Sequence, residues 1–89
     1  MKAIVSVVGK DAVGIIANVC TELASYRVNV LDISQTVMQG YFTMMMVVEV
    51  STCTVALAEL CRVMDAKGQE MGLSIRVQRE DIFEAMHRV

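Results

Sequence analysis

The sequence predicts an α+β sandwich in the order β-α-β-β-α-β: a four-stranded antiparallel sheet with two helices on one face, followed by a short C-terminal helix. Three observations carry this expectation. An apolar β-branched run, Lys2 to Val8, leads through the glycine-bounded stretch Gly9-Lys10-Asp11-Ala12-Val13-Gly14 into helical spacing. Two long strand-like runs then meet at Gly40-Tyr41. Finally, a second helical pattern gives way to alternation with apolar residues at 73, 75 and 77.

Element by element, Lys2-Ala3-Ile4-Val5-Ser6-Val7-Val8 has the β-branched content of a strand covered on at least one face. Ile16, Val19, Cys20 and Leu23 form one helical stripe, so a first helix is expected from about Val13 to Tyr26, with Asp11 as its N-cap. Its end lacks the usual glycine, so Arg27 or Asn29 must take the left-handed turn, a conformation asparagine tolerates better. Strands over 30–39 and 42–50 form a hairpin, with Leu31, Ile33 and Val37 opposed to Asp32, Ser34 and Thr36 across the first. In the second, Phe42, Met44, Met46, Val48 and Val50 make the core face. Ser51, Thr52, Cys53 and Thr54 are candidate caps for a second helix carrying Leu57, Leu60, Cys61, Met64 and Met71, with Gly68 or Gly72 near its end. Residues 73–79 make the fourth strand. Glu80 and Asp81 then open the tail helix and His87-Arg88 close it, a charge order that suits the helix dipole. This is the split βαβ, or ferredoxin-like, arrangement.

Composition narrows the function. Eighty-nine residues make one domain, which at this size hides only about 60–65% of the surface of its unfolded chain. Yet 55% of the residues are hydrophobic and the mean hydropathy is +0.52, so part of the apolar surface is expected to be covered by a second subunit. A net charge of −2 with scattered basic residues gives no nucleic-acid footprint. Met44-Met45-Met46-Val47-Val48 falls far short of the roughly 18 residues of a membrane span, and is expected to fill core and interface. The start lacks the pattern of a signal peptide, and Cys20, Cys53 and Cys61 form no C-x-x-C pair, so a cytoplasmic chain with inert buried thiols is expected.

Most chemistries of this architecture lack their residues. The central strands carry Met, Val, Ser and Thr where an RNA reader needs aromatics, and the first loop has neither the paired thiols of a metal carrier nor the arginine of an acyl-phosphate hydrolase. No Ser-His-Asp or Cys-His set is legible, so no catalytic residue, metal ligand or cofactor is assigned. His87 with Glu84 or Glu80 could form a two-ligand patch, but helix-end charge complementation is the simpler reading. Asp32, Glu49 and Arg76 are expected as surface ion pairs on the mixed sheet face. The first loop differs from all of these. Asp11 can be a plain cap between two turn glycines, or the loop can offer helix-start N–H groups to a carboxylate and Asp11 to an ammonium. Asn29, at the start of the second strand, joins it as a candidate ligand group.

V-V-G-K-D-A-V-G-I-I-A at 7–17, V-N-V-L-D-I at 28–33 and the element order resemble the ACT domain, a small-ligand regulatory module of amino-acid metabolism. The hairpin D-I-S-Q-T-V-M-Q-G-Y-F-T-M and the terminal I-R-V-Q-R-E-D-I-F-E-A-M-H-R-V are similar to stand-alone bacterial and archaeal ACT proteins, akin to the ACT domains of the glycine cleavage repressor. The resemblance implies an ACT domain over 1–79, a helical tail over 80–89, and a ligand held between the first loop of one subunit and the second-strand start of its neighbour. Gly14 matches the family's loop glycine, Asp11 the polar residue three before it, and Asn29 the polar residue opening the second strand. Gly9, Ala12 and Arg27 depart from the pattern of serine-binding members. The expectation is a non-enzymatic homodimer that binds a small molecule, an amino acid, through Gly9, Lys10, Asp11, Ala12, Val13, Gly14, Ile15 and Asn29. The alternative is a ligand-free interaction module that docks a larger enzyme or regulator through its sheet edge or through Ile82, Phe83 and Met86 of the tail.

Overall fold

The structure, a computed structural model, describes residues 1–10 and 13–81. Six elements follow in the expected order: β1 (Lys2–Lys10), α1 (Ile15–Ser25), β2 (Asn29–Met38), β3 (Tyr41–Glu49), α2 (Leu57–Met71) and β4 (Ser74–Arg79). The strands form one antiparallel sheet in the order β2-β3-β1-β4. The helix expected over 80–89 lies, beyond Asp81, outside the described residues, as does the weighing of His87.

Both helices lie on one face. Ala3, Val5 and Val7 of β1, Phe42, Met44, Met46 and Val48 of β3, and Ile75 and Val77 of β4 share a single buried cluster with both helices. Each helix enters that cluster with residues four apart: Ile15, Val19 and Leu23 from α1, and Leu60, Met64 and Gly68 from α2. The first helical stripe is thus led by Ile15 rather than Ile16, which is exposed, and Cys20 and Cys61 sit half-buried at the edge of the core instead of within it.

The helix starts differ from expectation. Gly14, at φ 85°, is the N-cap of α1 in place of Asp11, and the helix begins two residues after Val13. At α2 the cap position is Ala56, with no side-chain cap from the Ser51–Thr54 cluster. Helix ends are more regular. The N–H of Val28 donates to the Leu23 carbonyl (3.1 Å) and that of Arg27 to Ala24 (2.9 Å), the two bonds of a Schellman cap. Arg27, not Asn29, takes the left-handed conformation at φ 61°. Asn29 starts a strand instead, because the chain needs only one reversed residue to leave the helix.

The same motif closes α2 around Gly72, with Leu73 N–H donating to the Gly68 carbonyl (2.7 Å). In the hairpin the two reversed residues are Gln39 (φ 51°) and Gly40 (φ 82°), a type I′ turn one residue earlier than Gly40-Tyr41.

A register shift between Val30 and Asp32 makes Leu31 a bulge. Beyond it, Ile33, Gln35 and Val37 pair with Met46, Met44 and Phe42 on the helix side, while Asp32, Ser34 and Thr36 pair with Val47, Met45 and Thr43 on the open side. Leu31 therefore does not belong to the face of Ile33 and Val37 as strict alternation would have it. Val50, Val28 and Leu73 close the ends of the core.

Candidate functional site

The corner after β1 is held from two directions. On one side Gly9 pairs with Phe42 of β3, and on the other Leu73 packs so closely that a Cβ at Gly9 would run into its Cδ2. Gly9 thus has a packing reason to be glycine, since buried Leu73 occupies the space a side chain would need. Gly14 has a conformational one, its positive φ being favourable only for glycine.

Between them Val13 projects fully into solvent, Lys10 is exposed, and Ile15 is 4% exposed and anchors the helix start. Asp11 and Ala12 lie outside the described residues.

One residue of this corner escaped the reading of the sequence. The Asn18 side chain donates from Nδ2 to the Gly14 carbonyl (2.9 Å), which also accepts the Asn18 backbone N–H. It braces the reversed glycine from one turn inside the helix. Its only sequence signal is its place four residues after the glycine, where the first helical hydrogen bond closes.

Asn29 stands elsewhere. It pairs with Glu49, which pairs with Lys2 at the start of β1, whereas the corner follows Lys10 at the other end of that strand. Eight residues of strand separate the two, roughly 26 Å. Within one chain the structure does not bring Asn29 to the corner.

The mixed sheet face also differs from expectation. Glu49 Oε2 accepts from the Met1 ammonium (2.7 Å) and from the Ser51 N–H (3.3 Å), and the hydrogen bond from the ammonium holds its carboxyl below the usual value. Asp32 Oδ1 accepts the N–H of Ile33 (2.9 Å), and Arg76 pairs in register with Ser6, four residues along β1 from the partner of Glu49. The three do not form one ion-pair group.

Beside them a shallow cavity of about 120 Å³ opens, lined by Ile4, Asp32, Ser34, Met45 and Val47. Among the described residues no three His, Cys, Asp or Glu side chains are grouped to hold a metal ion, and no helix is long and apolar enough to cross a membrane. Cys61 donates from Sγ to the Val77 carbonyl (3.2 Å), and burial pushes its thiol pKa up, away from nucleophile behaviour.

An open-faced βαββαβ sandwich whose first strand ends in an exposed glycine corner is a small module of the ferredoxin-like kind, an architecture that many functions share. The ACT domain family model matches residues 2–78, and the chain belongs to that family. It is 51% identical over 89 residues to a UPF0237 protein of Clostridium acetobutylicum, with all of both chains covered. A UPF0237 protein of Methanosarcina acetivorans is 49% identical over 86 residues, 97% of this chain and 94% of that one.

Among solved structures, an ACT domain protein from Streptococcus pneumoniae superposes with a TM-score of 0.83 at 46% identity, covering 98% of each chain. A putative glycine cleavage system transcriptional repressor shares the fold, with a TM-score of 0.73 at 19% identity over 86% of this chain and 44% of its own. A formyltetrahydrofolate deformylase from Pseudomonas syringae does so with a TM-score of 0.80 at 22% identity over 88% of this chain and 27% of its own.

Proposed function

We propose that the protein is a non-enzymatic, cytoplasmic sensor of a small metabolite, an amino acid, working as a homodimer with its ligand between the corner of one subunit and Asn29 of the partner subunit. The observation that carries this reading is the separation of Asn29 from the corner. Two groups suited to one ligand lie at opposite ends of the same sheet, so one copy cannot use both.

Strand β2 offers the remedy. It is an edge strand, and Leu31, Ile33, Val37 and Met38 on it are 42–69% exposed. Pairing two such edges antiparallel about a two-fold axis covers that apolar row and removes an unprotected edge. The same operation carries Asn29 of the partner subunit to the end of the sheet from which the corner projects. There the ligand carboxylate meets the first N–H groups of α1, while Asp11 and Asn29 receive its ammonium.

Wholly exposed Val13 supports the reading, since it gains cover when a guest and a neighbour arrive. The unpaired state of Cys20, Cys53 and Cys61 accords with a reducing compartment. Residues 1–79 form the sensor on this reading, and 80–89 an appended tail.

A ligand gripped by two chains stabilises the dimer by mass action, about 2.7 kcal/mol at a hundredfold excess over its dissociation constant. The test is a thermal-shift screen against the twenty amino acids, repeated on Asp11→Ala/Asn29→Ala. A hit that raises the native melting temperature and leaves the folded double variant unmoved supports the site. A hit that acts equally on both places the ligand elsewhere, and the absence of any hit refutes the amino-acid assignment.

A further inference from the structure

The bulge in β2 aims a carboxylate. Glu49 and Val47 stand two residues apart on β3, but their partners on β2, Asn29 and Asp32, stand three apart, with Leu31 as the extra residue. Strict alternation from Asn29 would turn Asp32 to the helix side. The bulge instead puts it on the open side, in one row with Val47 of β3 and Ile4 of β1. Asp32 Oδ1 accepts the Ile33 N–H (2.9 Å), which orients the carboxylate and leaves Oδ2 over. Among the described residues the ion pairs are Met1 with Glu49, Arg62 with Glu59 and Arg79 with Asp81, so no cation answers Asp32.

The cavity of about 120 Å³ beside this carboxylate has two kinds of wall. Val47, half-buried, lies between Ile4 and Asp32 in the row; Ile4, 7% exposed, and Met45 line the apolar side, and Asp32 and Ser34 the polar side toward the sheet edge. An apolar cavity of about 150 Å³ holds a benzene ring, so this one takes roughly five heavy atoms. The charge it asks for is a compact one. With Oδ1 already engaged by Ile33, a guanidinium fork cannot grip both oxygens, whereas an ammonium needs only one. A ligand carboxylate would meet Asp32 with no cation beside it, which sets the cavity apart from the amino-acid chemistry of the corner.

We propose that this cavity is a second ligand site, which takes a free primary alkylamine as its monocation, with a chain of about four carbons. The ammonium donates to Asp32 Oδ2 and to the Ser34 hydroxyl oxygen, and the alkyl chain lies over Val47 against Ile4 and Met45. The charged end thus sits by exposed Asp32 and the methyl end by buried Ile4. A lysine side chain cannot take that orientation, because its peptide backbone, joined to the far end of the alkyl chain, would be driven against Ile4. A diamine would carry a second charge to the apolar wall. The site uses neither the corner nor Asn29, and it opens perpendicular to the β2 edge, so pairing of two edges leaves it accessible.

The test is a titration of the methyl-labelled full chain with n-butylamine at constant pH, read by NMR at the Ile4, Met45 and Val47 methyls. Saturable shifts of these methyls are expected. n-Butanol, which has the chain without the charge, and methylamine, which has the charge without the chain, should each bind about tenfold more weakly or worse, and butyrate should leave the methyls unmoved. Asp32→Asn keeps an oxygen for the Ile33 N–H and should lose about tenfold in affinity for n-butylamine. The series on the native chain decides the matter even if that variant fails to fold. Methyls that n-butylamine does not shift saturably overturn the proposal, as does n-butanol binding as tightly, or a folded Asp32→Asn chain with native affinity. A lysine blocked as its acetyl and methylamide derivative should bind about tenfold more weakly than n-butylamine. Equal or tighter binding would make the occupant a lysine of another protein, which also overturns the proposal.

Discussion

Replacing Arg27 by glycine is expected to stabilise the protein, and the size of the effect follows from the cap of α1. Arg27 holds φ at 61°, where an L-residue with a Cβ is disfavoured by about 1–2 kcal/mol. The hydrogen bonds that make the cap are backbone ones, Val28 to Leu23 and Arg27 to Ala24, and the carbonyl of Arg27 accepts the Thr52 hydroxyl (2.9 Å). All of these survive the loss of the side chain. Against the relief stands the greater freedom of glycine in the unfolded chain, about 0.5–1 kcal/mol. The net gain is about 0–1.5 kcal/mol, which at roughly 4–8 °C per kcal/mol for a domain of this size raises the melting temperature by up to about 12 °C. Differential scanning calorimetry at one protein concentration is the assay, because melting of a dimer depends on concentration. Arg27→Asn should fall between arginine and glycine, and Arg27→Val, β-branched, should melt below the native chain. A glycine variant less stable than the native chain would refute the reasoning, by showing that the guanidinium contributes more than the backbone conformation costs.

Two further outcomes rest on the packing and on the chain start. At Gly68 a Cβ would lie 2.8 Å from the Leu73 carbonyl oxygen and 3.0 Å from Ile75 Cγ1, so Gly68→Ala must push α2 off β4, at about 1–3 kcal/mol, partly offset by the helix preference of alanine; a lower urea midpoint is expected, and a raised one would contradict this packing. The Met1 ammonium, by its hydrogen bond, holds the Glu49 carboxyl below the ordinary 4.5, so this pair contributes stability above that value and loses it as the pH falls through the lowered folded value. Urea midpoints measured from pH 6 downward should therefore fall less steeply for Glu49→Gln than for the native chain, and parallel curves would remove Glu49 from the acid limb.

Much of the fold was legible because the residues repeat the period of their element. Phe42, Met44, Met46 and Val48 alternate into the core, and Leu60 and Met64 recur at helical spacing. The misread positions lie where one residue resets the phase. Gly14, reversed and braced by Asn18, starts α1 two residues late and moves its inner stripe from Ile16 to Ile15. Leu31, next to Val30 in an apolar run, gives no sign of being the bulged residue, so the faces of β2 could not be read from alternation alone. Arg27 takes a conformation its side chain disfavours because the Schellman bonds fix that position whatever residue fills it. Of the candidate site, the glycine corner was readable as a strand-to-helix turn. The packing need for Gly9 was not, since Leu73 reaches it from the far end of the chain. Nor could sequence alone show that Asn29 and the corner stand at opposite ends of the sheet, which only the register reveals.

That separation makes subunit complementation the sharpest measurement. Asp11→Ala and Asn29→Ala chains, each unable to bind the amino acid found by screening, are unfolded together, refolded as a mixture and titrated by calorimetry. If each site joins the corner of one subunit to Asn29 of the partner subunit, half the dimers are mixed and each mixed dimer regains one intact site. Binding should return at about a quarter of the native stoichiometry with native affinity. A mixture as inert as its two components, or a single variant that binds fully by itself, would contradict a site shared between two chains.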